Sequence, residues 1–211
     1  MIYMFTDEEK SGEALERLEG KLKFLYDKAN ELRDKRIKEK DAYEENIRDV
    51  ISQRKYITNQ DTKAGRDNYI LFHLAIGNAY LRYADMLFRE NQNGYMYNQK
   101  ALENFEKARY LSDNKDNIRY KALVILNIGK CHRYMDDTKV AREKFKEAYK
   151  MLCERDKKKC HLDIACEAIN SAAEWYRDNA KNTEAMQFYK FLKIHLRIYQ
   201  AEMTDFKFCF I

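Results

Sequence analysis

At 211 residues the chain has the length of one domain or a short repeat array, and burying about 70% of its unfolded surface leaves no need for a disulfide or metal staple. It holds no proline and only 6 glycines, with 36% charged and 45% apolar residues, a composition that removes the helix breakers, excludes a disordered chain and points to all-α structure. The net charge of +5 divides into −1 over residues 1–57 (13 basic, 14 acidic) and +6 over 58–211 (27 basic, 21 acidic), a mild excess that fits solvated lysines on helix faces better than a nucleic-acid stripe.

Thr6-Asp7-Glu8-Glu9 has the form of a capping box, with acids where the helix dipole favours them, so a helix is predicted to start there. Leu15, Leu18, Leu22, Leu25, Ala29 and Leu32 then alternate steps of three and four, the seam of a coiled coil over about three heptads. The seam either zips two copies together or packs on a neighbouring helix of the same chain. Leu15, Leu18, Leu22, Leu25 and Leu32 are therefore candidate self-association residues. The stretch RDKRIKEKD at 33–41 holds one apolar residue, and apolar spacing resumes at Tyr43, Ile47, Val50, Ile51 and Ile57. Residues 1–57 thus form one long helix, about 75 Å if straight, or a helical hairpin with a soft joint.

TNQDTKAGRDN at 58–68 reads as a loop. A helix is predicted from Tyr69 to about Asn91, a turn at NQNG (91–94), and a partner helix to about Leu111. After a loop at Ser112-Asp113-Asn114, a second pair runs from about Asn117 to Cys153, with Asp136-Asp137-Thr138 supplying its turn and N-cap. A third pair, predicted at 160–179 and 183–203, carries a cap signal at Asn182-Thr183. The pairs thus occupy 66–111, 117–153 and 160–203. Residues 204–211 form an apolar tail with Phe206, Phe208 and Phe210, expected to fold back onto the third pair or to dock in another subunit, which adds Phe208 and Phe210 to the self-association candidates.

The middle pair sets a register. From Gly129, His132 lies three residues on, Ala141 twelve, Phe145 sixteen and Ala148 nineteen. Small residues at such positions let two helices approach while Ile125, Ile128 and Phe145 fill the seam. The pattern returns 44 residues later in Ile169, Ala172, Ala173, Tyr176, Ala185, Tyr189 and Leu192. Its second half returns 40 residues earlier in Ala101, Phe105 and Ala108, while Ile76, Gly77 and Tyr80 sit 12 residues too far upstream, which reads as an insertion between the paired helices. This pattern resembles the tetratricopeptide repeat (TPR) over roughly 66–203, departing from it in His132 at an aromatic position, in the missing prolines and in the longer period. The resemblance implies an antiparallel helix-pair superhelix of about three repeats, with a concave groove lined by the first helix of each pair. The groove residues it implies are Leu74, Asn78 and Leu81, then Leu126, Asn127, Lys130 and Arg133, then Asn170, Glu174 and Arg177. Asparagine amides there both donate to and accept from a peptide or helix backbone, while cations meet its acids and leucines its apolar side chains. Chaperone-tail binding is not expected, because Leu74, Glu167 and Ser171 stand at the cationic positions.

No P-loop, dinucleotide fingerprint, nucleophile elbow or paired-carboxylate signature is present, and the four histidines (His73, His132, His161, His195) share no evident site, so no enzymatic activity and no cofactor are expected. Five cysteines at irregular spacing (Cys131, Cys153, Cys160, Cys166, Cys209) fit buried thiols of a cytoplasmic protein better than disulfides or a metal site. No apolar run spans a membrane, and MIYMF lacks the form of a signal peptide. The expected role is that of an adaptor or scaffold binding a protein or peptide partner. Nucleic-acid binding, an intracellular peptide receptor and an oligomeric scaffold, a homodimer among its forms, are the alternatives.

Overall fold

A computed structural model of the chain describes residues 7–57, 62–112 and 118–154. Among them are six α-helices and no strand: α1 (Asp7–Asp34), α2 (Lys40–Ser52), α3 (Lys63–Arg89), α4 (Tyr95–Ser112), α5 (Ile118–Tyr134) and α6 (Thr138–Glu154), with a 3-10 turn at Gln53–Tyr56. The chain divides into two compact units, Met1–Lys115 and Asp116–Ile211. In the first, α3 packs along α4 on one side and against α1 and α2 on others; in the second, α5 packs along α6.

Each of the two helix pairs is closed by a seam of the same kind. Gly77 of α3 lies against Phe105 of α4, and a Cβ at Gly77 would meet Phe105 Cε1 at 2.6 Å; at Gly129 of α5 a Cβ would meet Phe145 Cε1 of α6 at 2.7 Å. Phe105 and Phe145 are buried, flanked by Ala101 and Ala108 in one pair and by Ala141 and Ala148 in the other, all four without exposed surface. Glycine and alanine bring the helices close enough for one ring to fill the gap, so the pairing rests on shape and burial at once.

The extra twelve residues of the first pair are spread around its turn. Gly77 lies twelve residues before the end of α3 and Gly129 five before the end of α5. The connection is five residues (90–94) against three (135–137), and α4 starts six residues before Ala101 whereas α6 starts three before Ala141. The lengthened end of α3 does not go to solvent. Leu81, Tyr83, Met86 and Leu87 are buried there, and Tyr83 stacks on Tyr43 of α2 with ring centroids 5.7 Å apart.

Helix α3 begins at Lys63, inside the stretch 58–68 expected to be a loop and six residues before the predicted start at Tyr69. Thr62 is its N-cap, its hydroxyl accepting from the Gly65 amide at 3.1 Å. A hydroxyl that satisfies a first-turn amide starts a helix even where glycine follows. Of the two readings of residues 1–57, the structure takes the hairpin: α1 and α2 fold back on each other around Lys35–Glu39.

Three helices stop in the same way. The second residue past the end of α1, α3 and α5 is left-handed, with Arg36 at φ 52°, Asn91 at 54° and Asp136 at 58°. The next amide bonds back five residues, Ile37 to the Leu32 carbonyl at 3.0 Å, Gln92 to Leu87 at 2.7 Å and Asp137 to His132 at 3.0 Å. This closure satisfies carbonyls the helix end leaves open. Asp137 then caps α6, its Oδ1 accepting from the Val140 amide at 3.3 Å.

Candidate helix-binding cleft

The leucine seam of α1 is covered within its own unit. Leu18, Leu22, Leu25 and Ala29 are buried, Leu15 and Leu32 half-buried, in a cleft whose walls are α2 and α3. Among the described residues, then, these self-association candidates meet α2 and α3 of their own chain. The opposite face of α1 is open, with Phe24 57% exposed beneath the Lys21 ammonium, 5.4 Å from its ring centre.

Polar groups fix how the helix lies. Asn68 Nδ2 donates to the Leu15 carbonyl at 3.0 Å, Asn78 Nδ2 to the Tyr26 carbonyl at 3.0 Å and Asn46 Nδ2 to the Leu25 carbonyl at 3.3 Å. Three side-chain amides, one from α2 and two from α3, thus hold main-chain oxygens of α1. A helical carbonyl already bonded within its helix keeps a second lone pair for such a donor. Asn30 of α1 answers with its side-chain oxygen, which accepts from Asn78 Nδ2 at 3.2 Å and from Arg82 Nε at 3.0 Å. Asn46, Asn68, Asn78 and Arg82 are all buried. A lost bond here leaves a polar atom without water, so these contacts set the register of α1 more sharply than the leucines do.

The hairpin has its own fastening. The Tyr43 hydroxyl is shared between the carbonyls of Leu32 at 3.1 Å and Ile37 at 3.0 Å, one on each side of Arg36. Burial pushes the Tyr43 pKa up, with Arg89 opposing the shift. Burial, reinforced by the Glu44 carboxylate that accepts from its hydroxyl at 2.9 Å, pushes Tyr83 up further. Both phenols stay protonated as donors. Lys28 pairs with Asp49 across the hairpin at 3.3 Å.

Of the groove residues implied by the resemblance, Leu74, Asn78 and Leu81 are buried, and helical periodicity puts them on one side of α3. Asn78 contacts α1 directly. In the second unit, Leu126 and Asn127 are buried, Lys130 is 8% exposed and Arg133 is half-buried. Asn127, Lys130 and Arg133 are each engaged by neighbours. Asn170, Glu174 and Arg177, and Phe208 and Phe210 of the tail, lie outside the described residues.

Sequence reasoning missed Asn30, Asn46, Asn68 and Arg82. For the asparagines a signal was present: asparagine is a poor helix-interior residue, and Asn30, Asn46 and Asn68, like the already named Asn78, stand inside α1, α2 and α3.

His73 occupies a second buried polar position, at the α3–α4 seam. Asn104 Nδ2 donates to the Lys100 carbonyl at 2.8 Å, which leaves its Oδ1 as acceptor, 2.9 Å from His73 Nδ1. His73 therefore donates from Nδ1, and its buried Nε2 has no partner among the described residues. Tyr69 and Phe72 flank the ring at 4.6 and 5.2 Å, and the Arg54 guanidinium sits 5.0 Å above Tyr69. Burial pushes the His73 pKa down, the Asn104 bond opposes this, and Lys107 and Arg54 add to it. His132 lies 3.3 Å from the Asp137 carboxylate at the α5–α6 turn. No group of three or more metal-ligating side chains comes together among the described residues, and no helix there is long and apolar enough to cross a membrane.

Compared with known proteins, the chain matches no family model, no curated protein and no solved structure.

Proposed function

We propose that this protein is a TPR-like interaction module that receives an amphipathic helix of a protein partner. The grip of Asn46, Asn68 and Asn78 on main-chain carbonyls of α1 carries the reading. Donors aimed at carbonyls recognise a helix as a helix, and the apolar wall beside them selects leucines and alanines at steps of three and four. The paired seams Gly77–Phe105 and Gly129–Phe145 support the repeat architecture, with the face of Leu126, Asn127, Lys130 and Arg133 as the corresponding surface of the second pair. In this reading α1 is the first occupant of the cleft, a helix a partner displaces or replaces.

The test uses the full chain with α1 loosened by Leu22→Glu, which puts a charge at a buried position. A fluorescent peptide of residues 7–34 is titrated and followed by anisotropy. It binds the loosened chain and not the wild type, and adding Asn78→Ala weakens binding about tenfold. A peptide that binds neither protein overturns the proposal.

A further inference from the structure

We infer that α1 exchanges between two copies of this chain, each α1 seating in the α2–α3 cleft of the other copy while Lys35–Glu39 straightens and joins α1 to α2 as one continuous helix. The inference goes beyond the proposed function and does not depend on it, since the cleft need accept no foreign helix.

The turn itself is the first observation. Of the three left-handed positions that end α1, α3 and α5, two carry the residues suited to that conformation, Asn91 and Asp136, and one carries Arg36. Asparagine and aspartate tolerate this region because their short side chains bond locally; arginine pays the full penalty of its Cβ against the next carbonyl. Arg36 is also exposed, so no burial offsets the cost. The second observation is composition. Lys35-Arg36-Ile37-Lys38-Glu39 contains neither glycine nor proline and is rich in strong helix formers. Local preference therefore favours a helix running through, and the docking of α1 on α3 forces the bend.

The exchange conserves almost everything else. The seam of Leu18, Leu22, Leu25 and Ala29 and the bonds from Asn46, Asn68, Asn78 and Arg82 re-form with the other copy unchanged. Given up are the Lys38–Glu90 ion pair at 3.0 Å, exposed on its lysine side, and the bridge from the Tyr43 hydroxyl across the turn. Gained are the helical bonds of the straightened segment and release of the left-handed Arg36. Closure within one chain has the advantage of an effective concentration in the millimolar range. The exchanged dimer accordingly forms at high protein concentration.

The test refolds the full-length chain from denaturant at concentrations up to about 1 mM and measures mass by light scattering after gel filtration. Wild type gives a dimer that persists on dilution, because α1 must leave its cleft before monomers form. Arg36→Gly removes the left-handed penalty from the hairpin and disfavours the straight helix. It lowers the association constant about tenfold per hinge, about a hundredfold for the two hinges of a dimer. Glu39→Pro suits the hairpin, where Glu39 has φ −71°, and breaks a continuous helix; it abolishes the dimer and leaves the monomer. Absence of a wild-type dimer at the highest concentration overturns the inference. A dimer of equal strength in both variants does so too, since that association runs through a surface other than the hinge.

Discussion

The side-chain amide of Asn78 lies 3.0 Å from the main-chain oxygen of Tyr26, a buried donor in the middle of α3 reaching a carbonyl in the C-terminal half of α1. It satisfies a polar group with no water at hand and ties two helices whose residues are far apart in sequence. Replacing Asn78 by alanine leaves the Asn30 side-chain oxygen with Arg82 as its remaining donor. The expected loss is about 1–3 kcal/mol of stability, read by urea unfolding followed by circular dichroism. A change within about 0.5 kcal/mol contradicts the role given to this bond.

The seams of the two helix pairs make a matched prediction. A methyl group at Gly129 meets the Phe145 ring at 2.7 Å, as one at Gly77 meets Phe105 at 2.6 Å. Gly129→Ala and Gly77→Ala each cost about 1–3 kcal/mol by overpacking, although alanine is the better helix former. Gly129→Ala combined with Phe145→Leu recovers part of the loss. The double-mutant cycle then shows a coupling energy above about 0.5 kcal/mol, and strict additivity counts against the contact.

Tyr43→Phe keeps the stack on Tyr83 but removes the hydroxyl bonded to the carbonyls of Leu32 and Ile37. The hairpin loosens at a cost of about 1 kcal/mol. Hydrogen exchange localises the effect: amides around the α1–α2 turn exchange faster, while those of α5 and α6, in the other unit, keep their rates. Uniform acceleration across both units argues against a local fastening.

Acid should weaken the fold through His73. Its pKa in the folded chain is pushed below the ordinary 6.5 by burial, so between those two values the unfolded chain binds the proton and the folded chain does not. This contribution is intact above about pH 6.5 and is lost as pH falls through the folded value, at up to about 1.4 kcal/mol per pH unit. His73→Phe, in a site already lined by Tyr69 and Phe72, loses the Asn104 bond but flattens stability between pH 7 and 5.5. Equal slopes for the variant and the wild type remove His73 as the cause.

Local and periodic features were legible in the sequence; long-range polar ones were not. The spacing of Gly129, Ala141, Phe145 and Ala148 anticipated a seam whose burial the second unit displays, because close packing of paired helices demands small residues and one large ring at fixed intervals. The insertion in the first pair was legible by the same register. The cleft was only half legible: apolar steps from Leu15 to Leu32 announced a buried face, yet no spacing links Asn68 to Leu15 or Asn46 to Leu25. The sharp end of α1 escaped notice because an arginine stands where glycine or asparagine is usual. Likewise α3 began early because the hydroxyl of Thr62 outweighed the loop-like composition after it.

Three of the bonds that clasp α1 address main-chain oxygens, which every residue supplies whatever its side chain. Positions on the outward side of that helix, Phe24 and Lys21 among them, are thereby released from the duty of holding it in place. Substitutions there leave the seating of the helix untouched while altering what the first unit shows to its surroundings. The molecule's outer character on this flank is thus free to drift over generations, or to be rewritten by design, without renegotiating the core beneath it.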